Sequence, residues 1–188
     1  MARQTWVAAE VTQSVAGTNF ASFTTAKTVI PATALRTIRE NSLKIGDVLE
    51  IDVWGSISNI ATTPGTITFQ VKIGSAIAFT TGAIQLNATA HTNLPFHLKI
   101  LLTVRAIGSG TAANMMGMGE IAGVMFTATA GQVDGVNSQT ILQVPATAPA
   151  VGAGFDSTID QILDLWAGFS ISDAGNNISI AQYIVKSL

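Results

Sequence analysis

The chain has 188 residues, with 9 Lys or Arg against 11 Asp or Glu and a net charge of −2. That length suits one domain with one sizeable core. The charge balance excludes the cationic footprint of a nucleic-acid binder and the polybasic run of a protein drawn to anionic lipid. Charged residues are only 11% of the chain, against roughly 25% in a typical soluble domain, and there is no cysteine, which removes disulfides and thiolate metal sites.

So little charge leaves an isolated molecule with little to keep it from associating. The expectation is a surface covered by copies of itself or by a partner. The opening "MARQTWVAAEVTQSVAG" lacks the continuous apolar core of a signal peptide. Every apolar stretch is broken far short of the ~20 residues of a spanning helix. These features predict a protein made in the cytosol, with no membrane contact, whose residues 1–17 form an exposed arm.

The elements follow in chain order. Weak strand signals cover Thr5–Val11 and Phe23–Ile30. Thr33–Asn41 predicts a helical turn or two, with Leu35, Ile38 and Arg39 spaced for it. In "VLEIDVWGSIS", Leu49, Ile51, Val53 and Ile57 alternate with Glu50, Asp52, Trp54, Ser56 and Ser58, the period of a half-buried strand. "TTPG" at Thr62–Gly65 is a turn. Then Ile67, Phe69, Val71 and Ile73 alternate with Thr66, Thr68, Gln70 and Lys72, and Gly74-Ser75 closes a short connection. The whole of Ile57–Gly74 reads as a hairpin.

Shorter strands are expected at Ile77–Thr80 and Ile84–Ala88. The longest alternation places Leu94, Phe96, Leu98, Ile100, Leu102 and Val104 opposite His97, Lys99, Leu101, Thr103 and Arg105. Gly108–Glu120, "GSGTAANMMGMGE", predicts a Gly-rich loop whose Met115, Met116 and Met118 fill gaps or meet a partner. Strands at Ile121–Thr127 and Thr140–Val144 precede a Pro/Ala/Gly-rich loop at Pro145–Gly154. Asp156–Trp166 fits both periods, with strand favoured from Gln161 onward. The turn "SDAGNN" leads to a last strand, "ISIAQYIVKSL". The sum is an all-β, antiparallel two-sheet sandwich of jelly-roll type with little helix, one domain over residues 1–188.

Few residues carry candidate chemistry. Glu50 and Asp52, two apart on one strand face, stand roughly 7 Å apart, within the range of a glycosidase pair. Trp54 extends that face and offers a stacking surface for a sugar. A solvent-facing or subunit-facing strand explains the same residues. Asp156, Asp160 and Asp164 recur every four residues but line an element rather than converge, and no Ca²⁺ loop glycine accompanies them. His91 and His97 are the only histidines and match no metal pattern. The Gly108–Glu120 stretch matches neither the dinucleotide nor the phosphate-loop pattern. Trp166 and Tyr183 are, with Trp54, further candidate carbohydrate platforms, but no stacked aromatic groove is evident and core or interface packing explains them. Asn87 and Asn177 head glycosylation patterns that mean little without secretion. The expectation is a protein that is not an enzyme, with no catalytic residue, metal or cofactor.

Three stretches carry a likeness: "SLKIGDVLEIDVWGSIS", "TTPGTITFQVKIG" and "HLKILLTVRAIGSGTAANMMGMGE", together spanning about Ser42–Glu120. They resemble a group of tailed-bacteriophage virion structural proteins. The resemblance implies a jelly-roll or related sandwich that assembles on the particle, and it supplies no catalytic residues. It leads to the expectation of a capsid decoration, or cement, protein: a homotrimer bound to the outside of the head where major capsid protein subunits meet. Met115, Met116, Met118, Pro145 and Pro149 are then the candidate assembly contacts, together with the N-terminal arm. The alternative is a tail or fibre protein that recognises a host-surface glycan through Glu50, Asp52 and Trp54.

Overall fold

A computed structural model describes residues 8–127 and 140–188. In chain order the strands are β1 (Ala8–Thr12), β2 (Phe20–Ala21), β3 (Lys27–Thr28), β4 (Arg36–Ile38), β5 (Val48–Asn59), β6 (Thr66–Ile73) and β7 (Ala76–Thr80). They continue with β8 (Ile84–Leu86), β9 (His91–Ala106), β10 (Asn114–Gly123), β11 (Phe126–Thr127), β12 (Thr140–Val144), β13 (Gln161–Phe169) and β14 (Asn177–Ser187). The helical content among the described residues is one 3-10 turn, Ala32–Ala34.

The strands form two antiparallel sheets. Sheet A runs β1-β14-β5-β9-β10-β12, with β2 also on β14, and sheet B runs β11-β8-β6-β13-β3, with β4 on β13 and β7 on β6. The order β1-β14-β5-β9 faces β3/β4-β13-β6-β8, so the chain crosses between sheets at almost every step. That is the jelly roll of two Greek keys, widened in sheet A by β10 and β12.

Alternation builds the core. Leu49, Ile51, Val53 and Ile57 of β5, Ile67, Phe69, Val71 and Ile73 of β6, and Phe96, Leu98, Ile100, Leu102 and Val104 of β9 are all buried. The two inner faces interdigitate, as sandwich cores do. Phe96 of sheet A packs on Phe69 of sheet B at 5.6 Å between ring centroids and edge-on to Phe126 at 6.3 Å.

Several expectations are corrected. Ile57–Gly74 is not one hairpin: β5 lies in sheet A and β6 in sheet B, so Thr62–Gly65 is an inter-sheet crossing, and the true hairpin is β6–β7 around Gly74. Positive φ at Thr62 (70°) and Gly65 (75°) turns the chain out of one sheet and into the other. Thr33–Asn41 is not helical beyond the 3-10 turn, because Arg36–Ile38 pairs with Leu163–Gln161 of β13. Phe23–Ile30 is strand only at Lys27–Thr28; the preceding short β2 pairs with the other sheet, and Ser22 at φ 55° breaks the run. The described part of residues 1–17 is not a free arm: β1 pairs with β14, Gln13 N–H donates to Tyr183 O, and Gly17 N–H donates to Ile180 O. Residues 1–7 lie outside the described residues.

The Gly108–Glu120 stretch is also corrected. Its second half, from Asn114, is β10, paired with β9 through Met115↔Val104, Met116↔Thr103 and Met118↔Leu101. Met115 is fully buried in the core and is not available for a contact. Pro145–Gly154 is non-strand, as expected, but it is tied down as a strap. Ala146 and Ala153 N–H groups donate to Thr81 and Ile77 carbonyls beside sheet B, and Gly152 N–H donates to Met115 O in sheet A.

Candidate docking face

Register assembles the outer face of sheet A. Five strands, β14-β5-β9-β10-β12, place outward side chains in cross-strand rows. One row is Gln182–Trp54–His97–Ala122–Ile141. The next is Ile184–Asp52–Lys99–Glu120–Gln143, and a third is Lys186–Glu50–Leu101–Met118. Side chains so paired are neighbours in space and interact directly.

The β14–β5–β9 part of the face is ion-paired. Glu50 accepts from Lys186 at 2.7 Å and faces Lys99 at 3.2 Å, with only 12% of its side chain exposed. The Lys186 ammonium holds the Glu50 carboxyl below its usual range against the opposing effect of burial, and Lys99 adds to the lowering. The same hydrogen bond pushes Lys186 up. Asp52 meets His97 Nε2 at 2.7 Å. An ionised carboxylate only accepts, so Nε2 carries the proton in this contact. The Trp54 ring lies flat on the His97 ring at 4.0 Å between centroids. Glu50 and Asp52 therefore sit together as the sequence places them, but each is engaged by cations or by imidazole. A depressed carboxyl suits an ion pair and not a general acid, which needs a raised one.

The rest of the face is open. Leu101, Met118 and Ile141 are 41%, 49% and 59% exposed, and Trp54, three strands from Ile141 in the same row, is 45% exposed. Lys99, Leu101, Met118, Glu120 and Gln143 line a shallow groove of about 310 Å³. Glu120 and the exposed Arg105, which points outward further along β9, form no ion pair among the described residues. Leu101 was visible in the sequence as an apolar residue on a polar face. Ile141, Glu120 and Arg105 were not singled out, because only the register reveals that they share a face.

The remaining candidates separate. Met116 and Met118 point outward on this face, whereas Met115 points inward. Pro145 and Pro149 lie in the strap beside β7, with Pro149 exposed. Asp156, Asp160 and Asp164 have three separate jobs. Asp156 accepts from Thr158 and from Gly110 N–H, which lower its carboxyl, and Asp160 accepts from Glu40 N–H. Asp164 accepts from Thr28 Oγ1 at 2.8 Å and Trp166 Nε1 at 2.6 Å on the outer face of sheet B; burial pushes its carboxyl up against these bonds. Among the described residues no three His, Asp or Glu side chains group as metal ligands. His91 Nδ1 pairs with Asn59 Oδ1 at 3.1 Å beside the β5–β9 register shift. Tyr183 is fully buried, and burial raises its phenol.

No family model matches the chain, and no curated protein matches it. Among solved structures, the CBM2 module of the evolved Dit of Lactobacillus casei BL23 phage J-1 aligns at 12% identity and a TM-score of 0.31. The alignment covers 81% of this chain and 67% of that one. A likeness of that size adds nothing to the reading of the site.

Proposed function

We propose that this chain is a structural protein of a tailed-bacteriophage virion that decorates the outside of the head as a homo-oligomer and ties coat subunits together. The observation that carries the reading is the outer face of sheet A. It is five strands wide, its Glu50, Asp52, Lys99 and Lys186 charges are matched internally, and it leaves Leu101, Met118 and Ile141 exposed around a shallow groove. Broad, shallow faces with apolar centres and polar rims suit contact with another polypeptide, whereas small ligands favour enclosed pockets. The 11% charged composition agrees, since it asks for a covered surface, and the likeness of Ser42–Glu120 to virion proteins points the same way. Several modest contacts per oligomer would add through avidity.

Recognition of a host glycan is the second reading. It is favoured by Trp54, an exposed ring rigidly backed by His97 with Asp52 beside it. One experiment separates the two. Intact particles are imaged with a gold-tagged antibody raised against the pure protein, and wild type and W54A are compared for binding to particles and to host cells. Gold spread over the head, with W54A still bound, is the expected result. Gold confined to the tail tip, with cell binding lost in W54A, moves the protein to the second reading.

A further inference from the structure

We infer that the outer face of sheet A pairs with the same face of a second copy about a two-fold axis, with Arg105 of each copy meeting Glu120 of the other. The inference rests on reading this face as an assembly surface and names its occupant.

Charge and position carry it together. The other acids in the rows are engaged: Glu50 by Lys99 and Lys186, and Asp52 by His97. Among the described residues, Glu120 is left over. Among the described residues, the outward basic residue without an ion pair on the same face is Arg105. Glu120 on β10 stands across from Lys99 on β9. Arg105 lies six residues further along β9, roughly 20 Å at 3.3 Å per residue.

A two-fold axis lying between the two apposed faces and parallel to them, crossing β9 and β10 midway along that span and roughly at right angles to the strands, turns one copy face-down on the other. It sets Arg105 of one copy against Glu120 of the other, and the reverse. An isologous contact has this reciprocity, so one relation satisfies both leftover charges twice. The same operation brings the exposed Leu101 and Met118 close to the axis, with Met116 and Thr103 in the adjoining row. An apolar centre flanked by reciprocal ion pairs results. Lys99 has already delivered its ammonium to Glu50, so it does not compete for Glu120.

The contact has a modest size. Five strands at ~4.8 Å and nine residues of β9 at ~3.3 Å project to roughly 700 Å² per copy. A standard interface buries about 800 Å² per partner. Free molecules are therefore expected to pair weakly, on the order of micromolar, and more fully when a shell concentrates them.

The test is sedimentation equilibrium of the full chain, without particles, so that failure here stays distinct from failure of head decoration. Four proteins are compared: wild type, R105E, E120R and the double variant R105E/E120R. Each single swap sets two pairs of like charges against each other and should raise the dimer dissociation constant about tenfold or more. The double variant restores opposite charges in reversed sense and should return to within about threefold of wild type. Circular dichroism confirms that each variant folds, and the recovery in the double variant itself separates lost contact from lost fold. A wild type that stays monomeric, an oligomer indifferent to both single swaps, or a double variant no better than the singles would each overturn the inference.

Discussion

The two outer faces of the sandwich arise from the same period-two alternation and end up in different states. On sheet B the polar groups consume one another. Asp164 takes hydrogen bonds from Thr28 and Trp166, and the Lys72 ammonium sits 3.5 Å from the centre of the Trp166 ring. On sheet A, Glu50, Asp52, His97, Lys99 and Lys186 are satisfied in the same way, but Leu101, Met118, Ile141 and Glu120 are not. Alternation decides which side chains point outward. Cross-strand register then decides whether they find partners within the chain or are left for another molecule.

The largest effect should strike what the two faces share. Phe96 bridges the sheets through Phe69 and Phe126, and F96A should cost about 3–5 kcal/mol in urea unfolding. A loss that small surface changes could match would mean that the sheets do not form one cooperative core. Next comes the closed face. D164A leaves the Trp166 indole N–H and the Thr28 hydroxyl without their acceptor and should cost about 1–3 kcal/mol by the same measurement. No change would mean that the sheet B face is as open as the groove half of sheet A.

The smallest effect is a difference in sign between the faces. The Glu50 carboxyl is held below its ordinary 4.5, so its contribution is fully present above that value and is lost as pH falls through the folded value. The Asp164 carboxyl is raised above 3.8, so its burial penalty applies at higher pH and is relieved as pH falls through the raised value. Stability curves from about pH 3 to 6 should therefore tilt in opposite directions for E50Q and D164N relative to wild type. The acid-side loss should shrink in E50Q and grow in D164N. Parallel shifts in the two variants would contradict the contrast.

The long alternating strands were legible because burial of one face imposes the pattern locally. β5, β6, β9 and β13 carry it in full, and so the sandwich could be read. The Asn114–Glu120 part of β10 was missed for a physical reason. Its glycines advertise a loop, yet a side chain at Gly117 would run into the Phe79 ring, and one at Gly119 into the Lys99 carbonyl. Glycine there permits close approach within a sheet. Arg36–Ile38 was missed because pairing with β13 overrides a weak helical spacing. The Glu50–Lys186 pair joins residues 136 apart in the chain, and nothing local announces it. Glu50, Asp52 and Trp54 could be placed on one face from sequence, but not what else would stand beside them.

The strap has a further consequence. Three of its amide groups, those of Ala146, Gly152 and Ala153, are spent on Thr81, Met115 and Ile77 carbonyls, so it covers the flank where β7 and β10 would otherwise offer open hydrogen-bonding rows. Unprotected strand margins invite runaway fibril growth wherever many identical chains are synthesised together. A covered flank lets such a crowd of newly made molecules stay discrete, and leaves recognition along that side to side-chain chemistry, which can be reversed.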